Sequence, residues 1–367
     1  EVVLTYYCVC LRVFNYNPAA VHMTGIETDR KLQETLEHLS ALLGADKQEV
    51  LITSGGTESI NTAIKGVAYR PGPKRKVMLT SLGEHSATLN SLDFLTRKAG
   101  FTSIFNPLTE AGTIDLDVFE QNLKEQEFDL ITLIHVNNET GAVNPVEDIV
   151  KLRNRWQPDT PIHLDGVQTL DKIPFNFKDS GVDLFSASAH KFGAPKSSGF
   201  LLIRNGLRIE PLIHGGGQQG NMRSGTENLP LVMAMTKALE LSLAGLKEHT
   251  QYVRHLREIF FDRLRENEID FYVISPENGV PHILSIAFPA LRGETLHTAL
   301  TDEGYEVSLG SACSGHKSRH SSVLKALPLP QGLDRHVLRI SFAYTNTEAE
   351  ARGLADAVSD NIRRFAV

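Results

Sequence analysis

The middle of this sequence alternates between short β-rich runs and stretches with a helical hydrophobic period. The β-rich runs predict seven strands, at 50–53, 77–81, 102–105, 130–136, 162–164, 184–187 and 200–203. Helical patterns lie between several of them, at 57–68, 85–99, 116–126 and 146–156. Strands separated by helices of this length form βαβ units. We therefore predict an α/β fold with a mostly parallel seven-stranded sheet flanked by helices.

The pattern changes after a long helical stretch at 227–267. Shorter strand candidates follow at 272–274, 284–288 and 337–341, and they alternate with helices near 295–300, 322–327 and 347–365. This arrangement predicts a smaller α+β domain. Two domains suit a chain of 367 residues, since a domain averages about 150 residues. We expect a large domain at 14–246 and a small one at 247–367, with residues 1–13 packing on the small domain.

Charge and cysteine content exclude several classes of protein. The 37 basic and 44 acidic residues give a formal net charge of −7, so we expect no direct binding of nucleic acid or anionic membranes. Three cysteines, Cys8, Cys10 and Cys313, are too few for a disulfide framework and indicate a reducing compartment. Without a targeting signal or an apolar run of about 20 residues, we expect a cytoplasmic protein, and we predict no metal site.

Polar motifs follow three of the predicted strands, where open α/β sheets bind their ligands. The first is Ser54-Gly55-Gly56-Thr57, which precedes a helix. Its glycines expose backbone N–H groups, and a helix N-terminus favours an anion, so the motif could hold a phosphate. The spacing is neither that of a P-loop nor that of a dinucleotide-binding fingerprint. Taken alone, such a motif is more often an ordinary loop with a helix cap.

The other two strand ends carry charged side chains. Asp165 ends one strand, where it could pair with a protonated ring nitrogen or simply cap the next turn. Lys191 follows another strand among Ser, His and Gly, and a lysine partly desolvated beside other cationic groups is suited to form a Schiff base. A phosphate cradle, an aspartate and a lysine are together what pyridoxal 5′-phosphate requires.

The motifs, in order, resemble those of one enzyme family. The matching segments are TSGGTES at 53–59, EH at 84–85, HVNNETG at 135–141, HLDGVQ at 163–168, SASAHKFGAPK at 186–196, GGGQ…RSGTEN at 215–228 and GSACSG at 310–315. The chain resembles the class V aminotransferases, which depend on pyridoxal phosphate, and among them the NifS/IscS-type cysteine desulfurases. The resemblance begins near residue 14 and implies a fold type I transferase; residues 1–13 lack the family's usual opening segment.

The resemblance implies a role for each matching residue. Lys191 would hold the cofactor and move the substrate α-proton, and Asp165 would pair with the pyridine nitrogen. Gln168 would hydrogen-bond the ring hydroxyl, and His85 would stack on the ring. The phosphate ligands would be Gly56, Thr57, Ser188 and His190, with Thr226 reaching the phosphate of a neighbouring subunit in a homodimer. Asn138 and Arg339 would bind the substrate carboxylate.

Cys313 is the predicted nucleophile, since its Gly, Ser and His neighbours indicate an accessible thiol. In the resembling enzymes this cysteine takes sulfur from L-cysteine and leaves alanine and a persulfide. The persulfide then passes to an acceptor, such as an iron–sulfur scaffold or a tRNA-thiolating enzyme. Cys8 and Cys10 are interpreted as packing residues.

Three alternatives stay open at this point. A selenocysteine lyase would use the same residues. A class V aminotransferase would leave Cys313 without a role. An inactive pyridoxal-phosphate fold could act only as a partner protein, although the presence of Lys191, Asp165, His85 and Cys313 together argues against that function.

Overall fold

A computed structural model describes residues 1–72, 74–309 and 321–366 of the chain. Its larger sheet has seven strands: β1 (Val50–Thr53), β2 (Val77–Ser81), β3 (Thr102–Asn106), β4 (Leu130–Ile134), β5 (Ile162–Asp165), β6 (Leu184–Ser188) and β7 (Gly199–Ile203). They lie in the order β1-β7-β6-β5-β4-β2-β3. Strand β7 pairs antiparallel with β1 and β6, and the remaining pairs are parallel. The predicted mostly parallel seven-stranded sheet is confirmed.

Helices cover both faces of this sheet, and every residue of β2, β4, β5 and β6 is buried. The helices up to residue 244 are α1 (Val2–Val13), α2 (Met23–Leu43), α3 (Gly56–Tyr69), α4 (Ser86–Ala99), α5 (Leu116–Glu125), α6 (Val146–Trp156), α7 (Phe177–Ser180) and α8 (Leu229–Ala244). Leu32, Leu39 and Leu43 form the buried stripe of α2, which ends at Gly44 in the left-handed conformation with φ of 63°.

A second, antiparallel sheet of three strands is built from the last third of the chain. It consists of β8 (Tyr272–Val273), β9 (Ile283–Ala287) and β10 (Val337–Ser341), in the order β10-β9-β8. Its helices are α9 (Leu246–Glu266), α10 (Gly293–Asp302), α11 (Ser322–Ala326) and α12 (Glu348–Phe365). Helices α9 and α12 pack on each other and share a separate apolar core with β9 and β10.

The predicted long helical stretch at 227–267 is occupied by two helices. Helix α8 ends at Gly245, α9 begins at Leu246, and their axes are bent by 67°. Within the described residues, no single helix is long and apolar enough to cross a bilayer; α8 and α9 reach that length and composition only as this bent pair.

The first residues of the chain form helix α1, which packs against α8. Val3, Tyr6 and Cys10 recur at three- and four-residue steps, and they join the core beneath the seven-stranded sheet. The contacts of α1 therefore lie with the larger core, and not with the smaller domain on which residues 1–13 were expected to pack. The apolar period of this segment places its inner face on α8.

Candidate active site

A cavity of about 610 Å³ opens between the carboxyl edge of the large sheet and the small sheet. Because β1, β2, β4, β5 and β6 run in one direction, the segments that follow them meet at this edge. Ten of the twelve residues predicted from the sequence line the cavity: Gly56, Thr57, His85, Asn138, Asp165, Gln168, Ser188, His190, Lys191 and Arg339.

The turn between β1 and α3 forms one wall of the cavity. Gly55 has φ of 140°, a backbone conformation that favours glycine. A Cβ on Gly56 would lie 2.6 Å from Cγ2 of Val167 and 3.4 Å from Cβ of Ser188. The first N–H groups of a helix have no partner within the helix, so the start of α3 offers donors to an anion. The glycines thus leave room for a close approach to the helix N-terminus.

An ion pair fixes this turn from outside. Arg223 donates from Nε to Oε1 of Glu58 over 2.9 Å, and the N–H of Ser54 donates to Oε2 over 2.9 Å. Burial raises the pKa of Glu58, but the hydrogen bonds from Arg223 and Ser54 outweigh burial and hold the pKa below its usual value. Glu58 is therefore ionised and fastens the cradle to the loop that carries Arg223.

Lys191 lies in the short turn after β6, beside the cradle. Ser188 Oγ and His190 Nδ1 lie 2.9 Å apart in the same segment. Burial, followed by the charges of Lys191 and Lys196, lowers the pKa of His190. Lys191 itself is exposed on the cavity wall, which differs from the partial desolvation expected from the sequence. The turn extends past the sheet edge, so its side chains enter the open cavity.

Asp165 ends β5 at the floor of the cavity. Its Oδ1 accepts a hydrogen bond from the N–H of Val167 over 3.1 Å, and the residue is only 2% exposed. Burial raises the pKa of Asp165, whereas the charge of nearby His85 lowers it. His85 caps α4, since its Nδ1 accepts from the N–H of Ala87 over 3.1 Å. A cation bound between them would favour the ionised form of Asp165.

Asn138 and Arg339 come from different sheets and meet at the cavity. Asn138 follows β4, and Arg339 lies on β10 of the small sheet. Arg339 donates from Nη1 to the backbone oxygen of Asn138 over 3.1 Å and from Nη2 to Ser308 Oγ over 3.2 Å. The structure thus brings together the two residues predicted to bind a carboxylate.

Of the predicted residues that the structure describes, Thr226 is the one that does not line this cavity. Thr226 is exposed in the loop that Arg223 anchors. Gln219 holds the same loop against β1, donating to the oxygen of Ile52 over 3.0 Å and accepting from its N–H over 2.7 Å. Cys313 lies outside the described residues, as does the whole GSACSG motif.

The far side of the cavity is lined by polar residues that the sequence analysis did not find. Lys172 is buried and donates to Oδ1 of Asp171 over 2.6 Å, and the rings of His249 and Tyr344 stack with centroids 3.8 Å apart. His282 precedes β9 and Tyr344 follows β10. The rule that directs attention to residues after a strand could have found Tyr344, had it been applied to the small sheet, but not His282, which lies before its strand.

The donor set fits pyridoxal 5′-phosphate. The approach to α3 that Gly56 leaves open, with Thr57 and Ser188 hydroxyls at the cavity, suits a phosphate group. A buried carboxylate suits a protonated pyridine nitrogen, and an amine on the wall suits an aldehyde. Among the described residues, no group of three or more His, Cys, Asp and Glu side chains could hold a metal ion.

Comparison with known proteins identifies the family. The model of the family described as Aminotransferase class-V matches residues 3–354. A cysteine desulfurase IscS of Dictyoglomus turgidum is 37% identical over 350 residues, covering 95% of this chain and 88% of the relative. A cysteine desulfurase IscS 1 of Archaeoglobus fulgidus is 31% identical, covering 95% of this chain and 90% of the relative.

The solved structures that this chain resembles indicate the same family. A NifS-like protein matches with a TM-score of 0.92 at 33% identity, covering 100% of this chain and 96% of that one. SspA in complex with cysteine matches with a TM-score of 0.81 at 30% identity, covering 95% and 96%. This chain belongs to the class V aminotransferase family and, within it, to the cysteine desulfurases, whose members depend on pyridoxal phosphate.

Proposed function

We propose that this protein is a pyridoxal-phosphate-dependent cysteine desulfurase that converts L-cysteine to L-alanine and a persulfide on Cys313. One observation carries the proposal: Lys191, Asp165 and the cradle at Gly56 and Thr57 belong to three separate strand ends and line one cavity. The small sheet adds Arg339 to the same cavity, which supplies a cation for the substrate carboxylate.

Each residue has a task that suits its surroundings. The cradle at Gly56 and Thr57 would bind the phosphate, together with Ser188 and His190. Asp165 would hold the proton on the ring nitrogen, Gln168 would bind the ring hydroxyl and His85 would cover one face of the ring. Pyridoxal phosphate, when bound, supplies an electron sink for the substrate α-carbon. Lys191 would anchor it and move the α-proton, and Asn138 and Arg339 would orient the substrate.

Cys313 would supply the attacking sulfur. Its sulfur would form a bond to the sulfur of the bound cysteine as the Cβ–S bond of the substrate breaks, and a proton added at Cβ and one returned to Cα would complete alanine. The described residues on either side of 310–320 both reach the site: Ser308 contacts Arg339, and Ser321 hydrogen-bonds Glu139, next to Asn138. Cys313 is four positions after Leu309 in the sequence, a span of at most about 14 Å.

The proposal is tested by incubating the protein with pyridoxal phosphate and L-cysteine, then measuring alanine and, with a reductant, sulfide. The parent should be yellow and form both products. Cys313→Ser should remain yellow but lose sulfur release, and Lys191→Ala should lose the visible absorption. Equal sulfide from the parent and Cys313→Ser would refute the nucleophile, and a colourless parent would refute the cofactor. Comparing L-selenocysteine with L-cysteine separates a desulfurase from a selenocysteine lyase.

The same proposal includes the oligomeric state of the enzyme, its location, its sulfur acceptor and its division into domains. We expect a homodimer, because Thr226 is exposed and does not line the cavity of its own chain, so it could reach the phosphate of a neighbouring subunit. We also expect a cytoplasmic location and a sulfur acceptor that serves iron–sulfur cluster assembly or tRNA thiolation. The division into 14–246 and 247–367 is supported by the bend between α8 and α9 and by the separate core of the small sheet.

A further inference from the structure

Glu84 is a buried acid that the proposed reaction does not use, and it lies behind His85, Ile134 and Asp165, which line the cavity. It precedes His85 in the loop after β2, and it is 2% exposed. Its Oε1 accepts hydrogen bonds from Ser81 Oγ over 2.6 Å and from the N–H of Ile134 over 3.1 Å. Oε2 is also buried, and no residue that the structure describes donates to it. Glu84 thus ties the loop that carries His85 to the end of β4.

This carboxyl group lies close to that of Asp165. Ile134, which donates to Glu84, is the register partner of Asp165 between β4 and β5. Burial first, and then the negative charge of Asp165, raises the pKa of Glu84 to about 8. Among the described residues, the charge that acts on Glu84 is that of Asp165 on β5, and the titratable neighbour along the chain is His85, which faces Asp165. At neutral pH Glu84 therefore holds its proton, and Oε2, which accepts no hydrogen bond, is the atom left to carry it.

We propose that Glu84 is a positioning residue for the cofactor site. It stands beside Asp165 as a neutral hydrogen-bonding group, so the two neighbouring carboxyl groups are not both charged. This inference rests on the proposed function, because the single charge on Asp165 is the one that would face the ring nitrogen. The carboxyl group also anchors the backbone before His85, the side chain expected to cover the ring.

The geometry explains why a neutral acid suits this position. Ser81 and Ile134 both present donors, so an apolar side chain would leave two buried donors unsatisfied. A second buried carboxylate would repel Asp165 and have an oxygen without a partner. A protonated carboxyl group, or an amide, accepts both hydrogen bonds without adding charge.

The test compares Glu84→Gln, which keeps a neutral acceptor, with Glu84→Met, which is similar in length and accepts nothing. Glu147→Gln, on the exposed surface of α6, serves as the control. Binding of pyridoxal phosphate to the apoprotein is followed by visible absorption, which is also titrated from about pH 6 to about pH 9. We expect Glu84→Gln to bind within about threefold of the parent and Glu84→Met roughly tenfold more weakly, because two buried donors lose their acceptor.

The titration separates positioning from folding. The spectrum of the parent should change near pH 8 as Glu84 ionises, and Glu84→Gln should lack that transition. The proposal would be overturned if Glu84→Met bound pyridoxal phosphate as tightly as the parent. It would also be overturned if the spectral transition near pH 8 persisted in Glu84→Gln. If Glu84→Met does not fold, the spectral titrations of the parent and of Glu84→Gln still test the proposal.

Failure of the proposed function gives a different result. A parent that binds no pyridoxal phosphate refutes the function, and the state of Glu84 is then tested by unfolding of the apoprotein. Its pKa is raised in the folded state, so the stability that it contributes is present at acid pH and is lost as pH rises towards about 8. Glu84→Gln should therefore gain stability relative to the parent between about pH 5 and about pH 8; a constant difference would overturn the inference.

Discussion

Arg339 on β10 donates a hydrogen bond to the backbone oxygen of Asn138 over 3.1 Å and so joins the small sheet to the loop after β4. The backbone of Arg339 is fixed as well: its N–H donates to the oxygen of Ser308 over 2.7 Å, and its oxygen accepts from the N–H of Ser308 over 3.0 Å. The guanidinium is therefore held in place at the boundary between the two sheets. A substrate carboxylate that binds there would contact both sheets at once.

Replacing Arg339 by lysine should weaken substrate binding more than it slows the reaction. A lysine keeps the charge but loses the planar fork that can bind two carboxylate oxygens. Hydrogen bonds to charged groups contribute about 1.5–3 kcal/mol, so we expect KM for L-cysteine to rise roughly tenfold to a hundredfold. Steady-state alanine formation measures both constants. A large fall in kcat with unchanged KM would contradict this assignment, and the visible spectrum of the bound cofactor serves as the control.

The space around Gly56 gives a second prediction. In Gly56→Ala the new Cβ would lie 2.6 Å from Cγ2 of Val167, so the start of α3 must shift. We expect the affinity for pyridoxal phosphate to fall at least roughly tenfold, because an anion cradle depends on the position of the backbone N–H groups. Val167→Ala removes the atom that would clash, and combining the two substitutions should restore most of the affinity. A double variant as weak as Gly56→Ala would refute the steric explanation.

Asp165→Asn should separate function from stability. The amide keeps the shape and can still accept from the N–H of Val167, but it cannot carry the charge that would face the ring nitrogen. We expect kcat to fall by roughly a hundredfold or more, the magnitude typical of a lost electrostatic contact to a reacting group. The apoprotein should be no less stable than the parent near neutral pH, because burial disfavours the carboxylate. Unfolding of the apoprotein in urea measures this stability. A clear loss of stability in Asp165→Asn would show that Asp165 has a structural role instead.

The residues that follow the parallel strands could be predicted because one local rule decides where they lie. Asp165 and Lys191 are 26 positions apart by their residue numbers, yet β5 and β6 are neighbours and run in the same direction, so their ends coincide. The hydrophobic period predicts such strands from short windows of sequence. The strands of the large sheet and the positions of the cradle, Asp165 and Lys191 after them follow from that period, whereas the fold type and the other site residues were implied by the resemblance.

Features that depend on contact between distant elements were not predictable in this way. Lys172 and His282 line one cavity only because the small sheet lies against the large one. The protonation of Glu84 depends on Ile134 and Asp165, which approach it only in the folded sheet. Gly245, where the predicted helical stretch divides into α8 and α9, is a residue that many helices tolerate, so the sequence signal for the division was weak. Local patterns contain none of this information.

Buried histidines predict how stability depends on pH. Burial lowers the pKa of His135 to about 4 and that of His163 to about 3. His163 lies inside the large sheet, where Nδ1 is 2.8 Å from Thr132 Oγ1 and Nε2 is 2.8 Å from Ser186 Oγ. Both rings are neutral in the folded protein at neutral pH. The unfolded chain takes up protons below about pH 6.5 that the folded protein does not.

The stability that depends on neutral histidines is therefore complete above about pH 6.5 and is lost as the pH falls, at about 1.4 kcal/mol per pH unit for each histidine. Between about pH 6.5 and about pH 5, His163 alone should account for about 2 kcal/mol. His163→Gln will be less stable than the parent near neutral pH, since the hydrogen bonds to Thr132 and Ser186 change, but its loss of stability on acidification should be smaller. Urea unfolding of the apoprotein across this range measures both slopes, with His214→Gln, a substitution of an exposed histidine, as the control. Parallel slopes for the parent and His163→Gln would mean that His163 takes up its proton in the folded protein as readily as in the unfolded chain.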